Sequence, residues 1–331
     1  MELSLAPAIG LFLAAAVVIV IAASFLAAAA DVIAARMGLG RLWVGSLLLA
    51  GATSLPELVT AVAASIGGSA ELAAGNVLGA NMLNVSNLAI IMAIWGGREV
   101  FRQLAPQQTW VAGAAILLTA MATLFAATQI DFKLLAISVP AIAIIVVYVI
   151  ISRILRKFSM EGEESAEDEE EPAHSLAWGW GVFLAAAAAI FVSGPALAIS
   201  AEAIADATGI GSGFVGVLAV AFVTTLPELT TTIAAFRMKA YDLGLANMYG
   251  TNSFNIVALA AADLAYTDGS FYSFTNAGTI AAGLFAILLM SLGLVQLAMR
   301  RPLKQFSFTE PSAPLFVTIY LIGLFVVLRL A

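Results

Sequence analysis

Glu57 and Glu228 each stand in an otherwise apolar stretch, four residues after a threonine, in the runs Thr53-Ser54-Leu55-Pro56-Glu57 and Thr224-Thr225-Leu226-Pro227-Glu228. A carboxylate at membrane depth is costly and points to a functional site. The i, i+4 spacing puts hydroxyl and carboxylate on one face if the helix persists, and Thr60 and Thr231 continue each face at i+3. Pro56 and Pro227 each remove a backbone donor, which frees the carbonyls of Ala52 and Val223. Hydroxyls, carboxylates and freed carbonyls are hard oxygen ligands. Calcium takes about six to eight of them, and two carboxylates neutralise one divalent cation.

A polar stripe follows each glutamate. Asn247, Thr251 and Asn255 are spaced by four, and Asn76, Ala80 and Asn84 hold the matching positions. Asn84 and Asn255 each lie 27 residues after their glutamate and are read as site-lining. Asn76 and Asn247 are read as interhelical hydrogen-bonding residues. Asn81 and Asn252 also match. Both motifs belong to one segment written twice: residues 38–89 and 209–260 align without a gap at an offset of 171, with 21 of 52 positions identical.

The elements that carry these residues are apolar. The chain has 331 residues, 62% hydrophobic and 11% charged, with mean hydropathy +1.03. Soluble domains carry about 25% charge, so this is a polytopic membrane protein embedded in a lipid bilayer. The absence of cysteine excludes disulfides, thiolate metal sites and a cysteine nucleophile. Nothing points to nucleic acid, and the single histidine, His174, lies in a hydrophilic linker and is given no role. Ten stretches are long enough to cross a hydrocarbon core of about 30 Å: 8–30, 42–66, 72–95, 108–128, 132–153, 176–199, 212–236, 242–264, 275–298 and 311–330. The first lacks a small-residue cleavage pattern and is read as a span rather than a signal peptide. The expected fold class is an all-α membrane protein.

Charge sets the expected topology. Residues 161–171 carry eight acids and no base, and account for the formal net charge of −7. The run is read as a solvated cytoplasmic tether. Twelve of the 14 Lys and Arg fall in loops on one side, leaving Lys133 and Arg329 on the other. The positive-inside rule then puts both termini outside and the acidic linker in the cytoplasm. Five spans separate the two copies, so they enter the membrane in opposite directions, as in many secondary transporters. The expected organisation is a five-helix repeat over 1–155, a linker over 156–175 and a second five-helix repeat over 176–331.

The paired runs Gly-Ala-Thr-Ser-Leu-Pro-Glu-Leu and Gly-Asn-x-x-Gly-x-Asn-x-x-Asn resemble the α-repeats of the sodium/calcium exchangers, within the calcium/cation antiporter superfamily. The resemblance implies four clustered cation sites between the second, third, seventh and eighth spans. Glu57 and Glu228, joined by Thr53 and Thr224, would bind calcium. Ser54 and Thr225, with the carbonyls of Ala50 and Ala221, would serve sodium sites. Asn84 and Asn255 would form the waist, and the first and sixth spans would be sliding gates. The family commonly has serine where this chain has Ala80 and Thr251, and commonly has a carboxylate on one side of the waist. Ala80 removes a side-chain oxygen expected to bind sodium.

The expected function is alternating-access antiport that exports Ca2+ in exchange for Na+, from a prokaryotic inner membrane and with no resident cofactor. A proton-coupled divalent antiporter is the alternative, because carboxylates can exchange a cation for protons. A passive channel is disfavoured by the inverted repeat and the lack of a repeated filter sequence. An enzyme is disfavoured by the lack of a nucleophile motif. The sequence sets no oligomeric state.

Overall fold

The computed structural model describes residues 4–37, 49–95, 100–101, 103–129, 132–134, 137–161, 174–299 and 312–330. Helix α1 runs Leu5–Arg36. A four-residue turn, α2 (Ala50–Thr53), precedes α3 (Leu55–Ile66), and α4 (Ala70–Trp95) and α5 (Gln108–Thr128) follow. Then come α6 (Val139–Glu161) and α7 (Leu176–Thr208). The next stretch is composite: α8 (Ser212–Val215), a π-helical turn (Gly216–Val220), α9 (Ala221–Thr224) and α10 (Leu226–Arg237). The chain closes with α11 (Tyr241–Ala265), α12 (Ala277–Met299) and α13 (Ser312–Leu330). Residues 42–48 of the second expected span, the start of the first repeat copy and most of the acidic run lie outside the described residues.

Among the described residues, six helices are long and apolar enough to cross a membrane: α1, α4, α5, α7, α12 and α13. The stretch Ser212–Thr224 and α10 make a seventh when joined as one span, bent by 43° at the break. The fifth expected stretch starts later than its hydropathy suggests. Lys133–Leu134 pairs antiparallel with Ile137–Ser138, and the helix begins only at Val139. Pro140 accounts for this: further inside a helix it would leave a carbonyl unbonded and clash with the preceding turn.

Helices α4 and α11 form the centre. In α4, 78% of the best apolar window is buried, against 17% in α13 at the periphery. α4 meets the π-helical turn backbone to backbone. A Cβ on Gly79 would lie 2.5 Å from the Val217 Cα, and one on Gly216 would lie 2.6 Å from the Leu72 carbonyl oxygen. Small residues permit such approach where helices associate without a hydrophobic drive. α1 and α7 pair lengthwise through Ala22, Ala23, Leu26, Ala30, Ala186 and Ile190, and this seam rests on Ala52 and Val59 of α2 and α3. Leu13, Val17, Ile21 and Phe25 of α1 are exposed, as a lipid-facing surface requires.

Candidate cation site

Each glutamate sits just past a break. Thr53 ends α2, Ser54 stands between, and Glu57 is the third residue of α3; Thr224, Thr225 and Glu228 repeat the arrangement in α9 and α10. The proline is thus the second residue of a restarted helix, where its missing N–H has no carbonyl to serve. Ser54 O accepts from Leu58 N at 3.0 Å, and Thr225 O from Leu229 N at 3.1 Å. Both carboxylates lie in a first turn, near the positive end of the helix dipole. Both glutamates are fully buried.

The helices do not persist through the prolines, and the pairing of hydroxyl and carboxylate crosses between repeats. Thr224 faces the Glu57 carboxylate and Thr53 faces Glu228, short of hydrogen-bond geometry in both cases.

Helices α4 and α11 carry an asparagine quartet. Asn81 Nδ2 donates to the Asn252 carbonyl at 3.1 Å, and Asn252 Nδ2 donates to the Asn81 carbonyl at 3.4 Å. A backbone carbonyl only accepts, so each of these side chains must present its NH2 to the partner backbone and its Oδ1 elsewhere. Asn84 Nδ2 then donates to Asn252 Oδ1 at 3.0 Å, and Asn255 Nδ2 to Asn81 Oδ1 at 3.0 Å. The outcome is fixed at the far end: Asn84 Oδ1 and Asn255 Oδ1 are buried acceptors without a partner. Sequence reasoning saw that Asn81 and Asn252 match but gave them no role. Their symmetry was visible; their orienting bonds needed the α4–α11 contact.

Symmetry fails where Ala80 replaces Thr251. Thr53 Oγ1 lies 3.5 Å from Thr251 Oγ1. Its mate, Thr224, has no hydroxyl opposite and donates instead to Asn76 Oδ1 at 3.1 Å. Asn76 Nδ2 donates to the Glu57 carbonyl at 3.3 Å. Asn247 donates to Thr231 and Thr232 at 3.0 and 3.2 Å, and its Oδ1 is left without a partner. Both residues make the interhelical bonds expected of them, but with different partners.

The remaining candidates differ from one another. Ser54 Oγ is buried and unpartnered, whereas Thr225 Oγ1 donates to the Phe222 carbonyl at 3.3 Å. The Ala50 carbonyl accepts from Ser54 N at 2.9 Å and from Thr53 Oγ1 at 3.3 Å. The Ala221 carbonyl accepts from Thr225 N at 3.0 Å; Thr224 Oγ1 lies 3.4 Å away, but its single hydrogen goes to Asn76 Oδ1. The Ala50 carbonyl is thus engaged twice and could reach a cation only if the Thr53 hydroxyl turned away, whereas the Ala221 carbonyl holds one backbone bond.

Six buried oxygens without partners therefore come from four symmetry-related residues: both Oε of Glu57, both Oε of Glu228, and the Oδ1 of Asn84 and of Asn255. Buried polar atoms are nearly always hydrogen-bonded. Six hard oxygens with two formal negatives could hold one divalent ion of calcium's coordination number.

Comparison with known proteins decides the family. The profile described as "Sodium/calcium exchanger protein" matches residues 7–156 and 178–329, most of the chain. The chain belongs to the sodium/calcium exchanger family. It is 26% identical over 270 residues to the inner membrane protein YrbG of Escherichia coli K12, covering 79% of this chain and 81% of that protein. It is 24% identical over 287 residues to the putative antiporter CaxA of Alkalimonas amylolytica, covering 81% and 84%. Among solved structures it resembles the sodium-calcium exchanger NCX_Mj, with a TM-score of 0.61, 19% identity, and coverage of 96% of this chain and 97% of that one. This exchanger-family chain therefore shares the NCX_Mj fold and is a membrane-embedded transporter rather than an enzyme.

Proposed function

We propose that the protein is a secondary active antiporter that exports Ca2+ from the cytoplasm in exchange for Na+ by alternating access. The observation that carries this reading is the set of six unpartnered acceptor oxygens on Glu57, Glu228, Asn84 and Asn255. Thr53, Thr224, Ser54, Thr225 and Thr251, with the carbonyls of Ala50 and Ala221, complete the ligand set. Family membership supports cation antiport in general, and the direction and coupling ion are the finer parts of the reading.

The same reading takes the chain as ten spans in two inverted five-helix repeats. The 171-residue offset supports it, and so do the two pairs of Asn bonds, each the image of the other under that offset. Both termini lie outside, the acidic linker is cytoplasmic, and the membrane is a prokaryotic inner membrane. The α1–α7 pair, seated on the α2–α3 break, is the moving gate. Loading by either ion neutralises the glutamates and lets the gate pass; an empty, doubly negative site resists occlusion.

A proton-coupled divalent antiporter is the second reading. Ala80 favours it: the hydroxyl that would face Thr224 is missing, and Thr224 is bonded to Asn76. Counterflow in proteoliposomes tests the two. Calcium-45 uptake driven by an outward Na+ gradient and indifferent to pH supports sodium coupling. Uptake that ignores the Na+ gradient and follows an imposed pH gradient defeats it.

A further inference from the structure

We propose that a groove between α1 and α7 seats one acyl chain of a membrane phospholipid, which makes lipid a third member of that helix seam. The groove holds about 530 Å3 and runs from Leu11 to Val18 on α1 and from Ala188 to Ala196 on α7. No other helix lines it. The seat is independent of the antiporter reading; its effect on transport rests on that reading, in which this pair is the moving gate.

The groove exists because the seam closes over only part of its length. Ala22, Ala23, Leu26 and Ala30 of α1 pack with Ala186 and Ile190 of α7. Toward the start of α1 and the end of α7, five of the nine lining residues are alanine, too short to fill the space between the helices. Val192, 78% exposed, stands as a wall. The trough is continuous with the lipid-facing surface of α1: Ala14 and Val18 line it, and their neighbours Leu13 and Val17 are exposed.

Depth and chemistry select the occupant. The lining falls in the first half of the expected span 8–30 and the second half of 176–199, which antiparallel pairing places in one leaflet. At 1.5 Å per residue the two walls are about 10 and 12 Å long, which fits inside one leaflet, half of a hydrocarbon core of about 30 Å. No lining residue is charged, and the one hydroxyl, Ser193 Oγ, donates to the Ala189 carbonyl of its own helix at 2.7 Å. Nothing in the groove calls for water, an ion or a headgroup. Lipid tails are as apolar as the lining, so there is no hydrophobic drive. Selection comes from van der Waals contact, which a gap forfeits. A straight chain can lie along such a trough, and a methyl-branched chain cannot lie flat in it.

Photolabelling maps the seat. The full-length chain is reconstituted in phosphatidylcholine containing an analogue with a diazirine midway along one acyl chain, irradiated, and its peptides are read by mass spectrometry. Adducts should concentrate several-fold on the α1 and α7 peptides that line the groove, relative to α13, where Leu321, Ile322 and Phe325 are also exposed. Ala14→Leu with Ala188→Leu, both at exposed positions, fills the trough and should lower labelling to the α13 level. Even labelling of all lipid-facing helices in the wild type overturns the seat, whether or not the double variant folds. Val192→Cys, in a chain without cysteine of its own, reports a second copy: an efficient disulfide-linked dimer on oxidation in the membrane overturns the lipid occupant. Calcium-45 uptake in straight-chain and methyl-branched phosphatidylcholine reads the effect on the gate. It should differ several-fold for the wild type and not for the double variant. Concentrated labelling with uptake indifferent to chain shape overturns the link to the gate. Absence of uptake in both lipids, under Na+ and pH gradients alike, overturns the antiporter reading and leaves the seat to be decided by the labelling.

Discussion

Asn81 and Asn252 each donate their side-chain amide to the other's backbone carbonyl, at 3.1 and 3.4 Å, and so engage the amides of Asn84 and Asn255 and leave the Oδ1 of each buried and unpartnered. Neither residue contributes one of the six free oxygens. Both act through a neighbour.

Removing either orienting amide should therefore weaken cation binding without removing a ligand. Asn252→Ala frees the Asn84 amide to rotate, so that NH2 competes with Oδ1 for the cavity. Loss of a buried hydrogen bond costs about 1–3 kcal/mol, which predicts roughly a 10-fold rise in the calcium concentration giving half-maximal uptake. Asn81→Ala should do the same through Asn255. Concentration-dependent calcium-45 uptake, with expression and monodispersity matched, checks both. An unchanged half-saturation in the two variants would remove the orienting role.

Ala80→Ser and Thr251→Ala should act in opposite directions on the monovalent ion. The first restores an oxygen at the position matching Thr251, and the second removes the hydroxyl 3.5 Å from Thr53 Oγ1. If Na+ is the coupling ion, half-maximal sodium should fall several-fold in Ala80→Ser and rise several-fold in Thr251→Ala. Identical sodium dependence in both would show that the broken symmetry at this position does not govern coupling.

Much of this site was legible before the fold was known, and the remainder was not for physical reasons. The repeat, the two glutamates and the asparagine stripes are local patterns, readable as costly polar groups in apolar surroundings. Pro56 and Pro227 mark the break expected of a lost backbone donor, but that each stands as the second residue of a restarted helix is not readable from a continuous apolar stretch. The crossed pairing of Thr53 with Glu228 and Thr224 with Glu57 has no trace in i, i+4 spacing, because it arises when the two repeats meet. The divergence of Asn76 from Asn247 accompanies two differences between the copies, Ala80 against Thr251 and Ala61 against Thr232, and the second removes a hydroxyl that Asn247 bonds. The start of α6 at Val139 was hidden by hydropathy, which cannot separate an apolar hairpin from an apolar helix turn.

Close packing of α4 on the π-helical turn makes a prediction about stability alone. Gly79→Ala places a methyl group 2.5 Å from backbone that cannot move aside. Overpacking of this kind costs about 1–3 kcal/mol, and the melting temperature of the detergent-solubilised protein should fall by several degrees. Gly113→Ala, where a Cβ meets nothing within 4 Å, should leave it unchanged or slightly raised. Equal melting temperatures would mean that α4 and the turn are not in backbone contact.

Asp242 ties the start of α11 to the entry of α5. Its Oδ1 accepts from Ala105 N at 2.9 Å and Gln108 Nε2 at 2.9 Å, and Gln108 Nε2 also reaches the Asp242 carbonyl at 3.0 Å. Asp242→Ala should destabilise by about 1–3 kcal/mol, with half-maximal calcium for residual transport unchanged. Thermal unfolding beside uptake kinetics separates the two. A large shift in calcium dependence would place Asp242 in the transport pathway instead.

The central claim is that Glu57 and Glu228 jointly hold the transported divalent cation. Its most direct measurement is calcium-45 uptake into proteoliposomes by Glu57→Gln and Glu228→Gln, alongside calcium-induced thermal stabilisation of each purified variant. Glutamine keeps the size of the side chain and removes its charge. Each single variant should lose calcium uptake to background and lose the calcium-induced rise in melting temperature that the wild type gains by linkage. Wild-type calcium uptake retained in both variants would contradict the account.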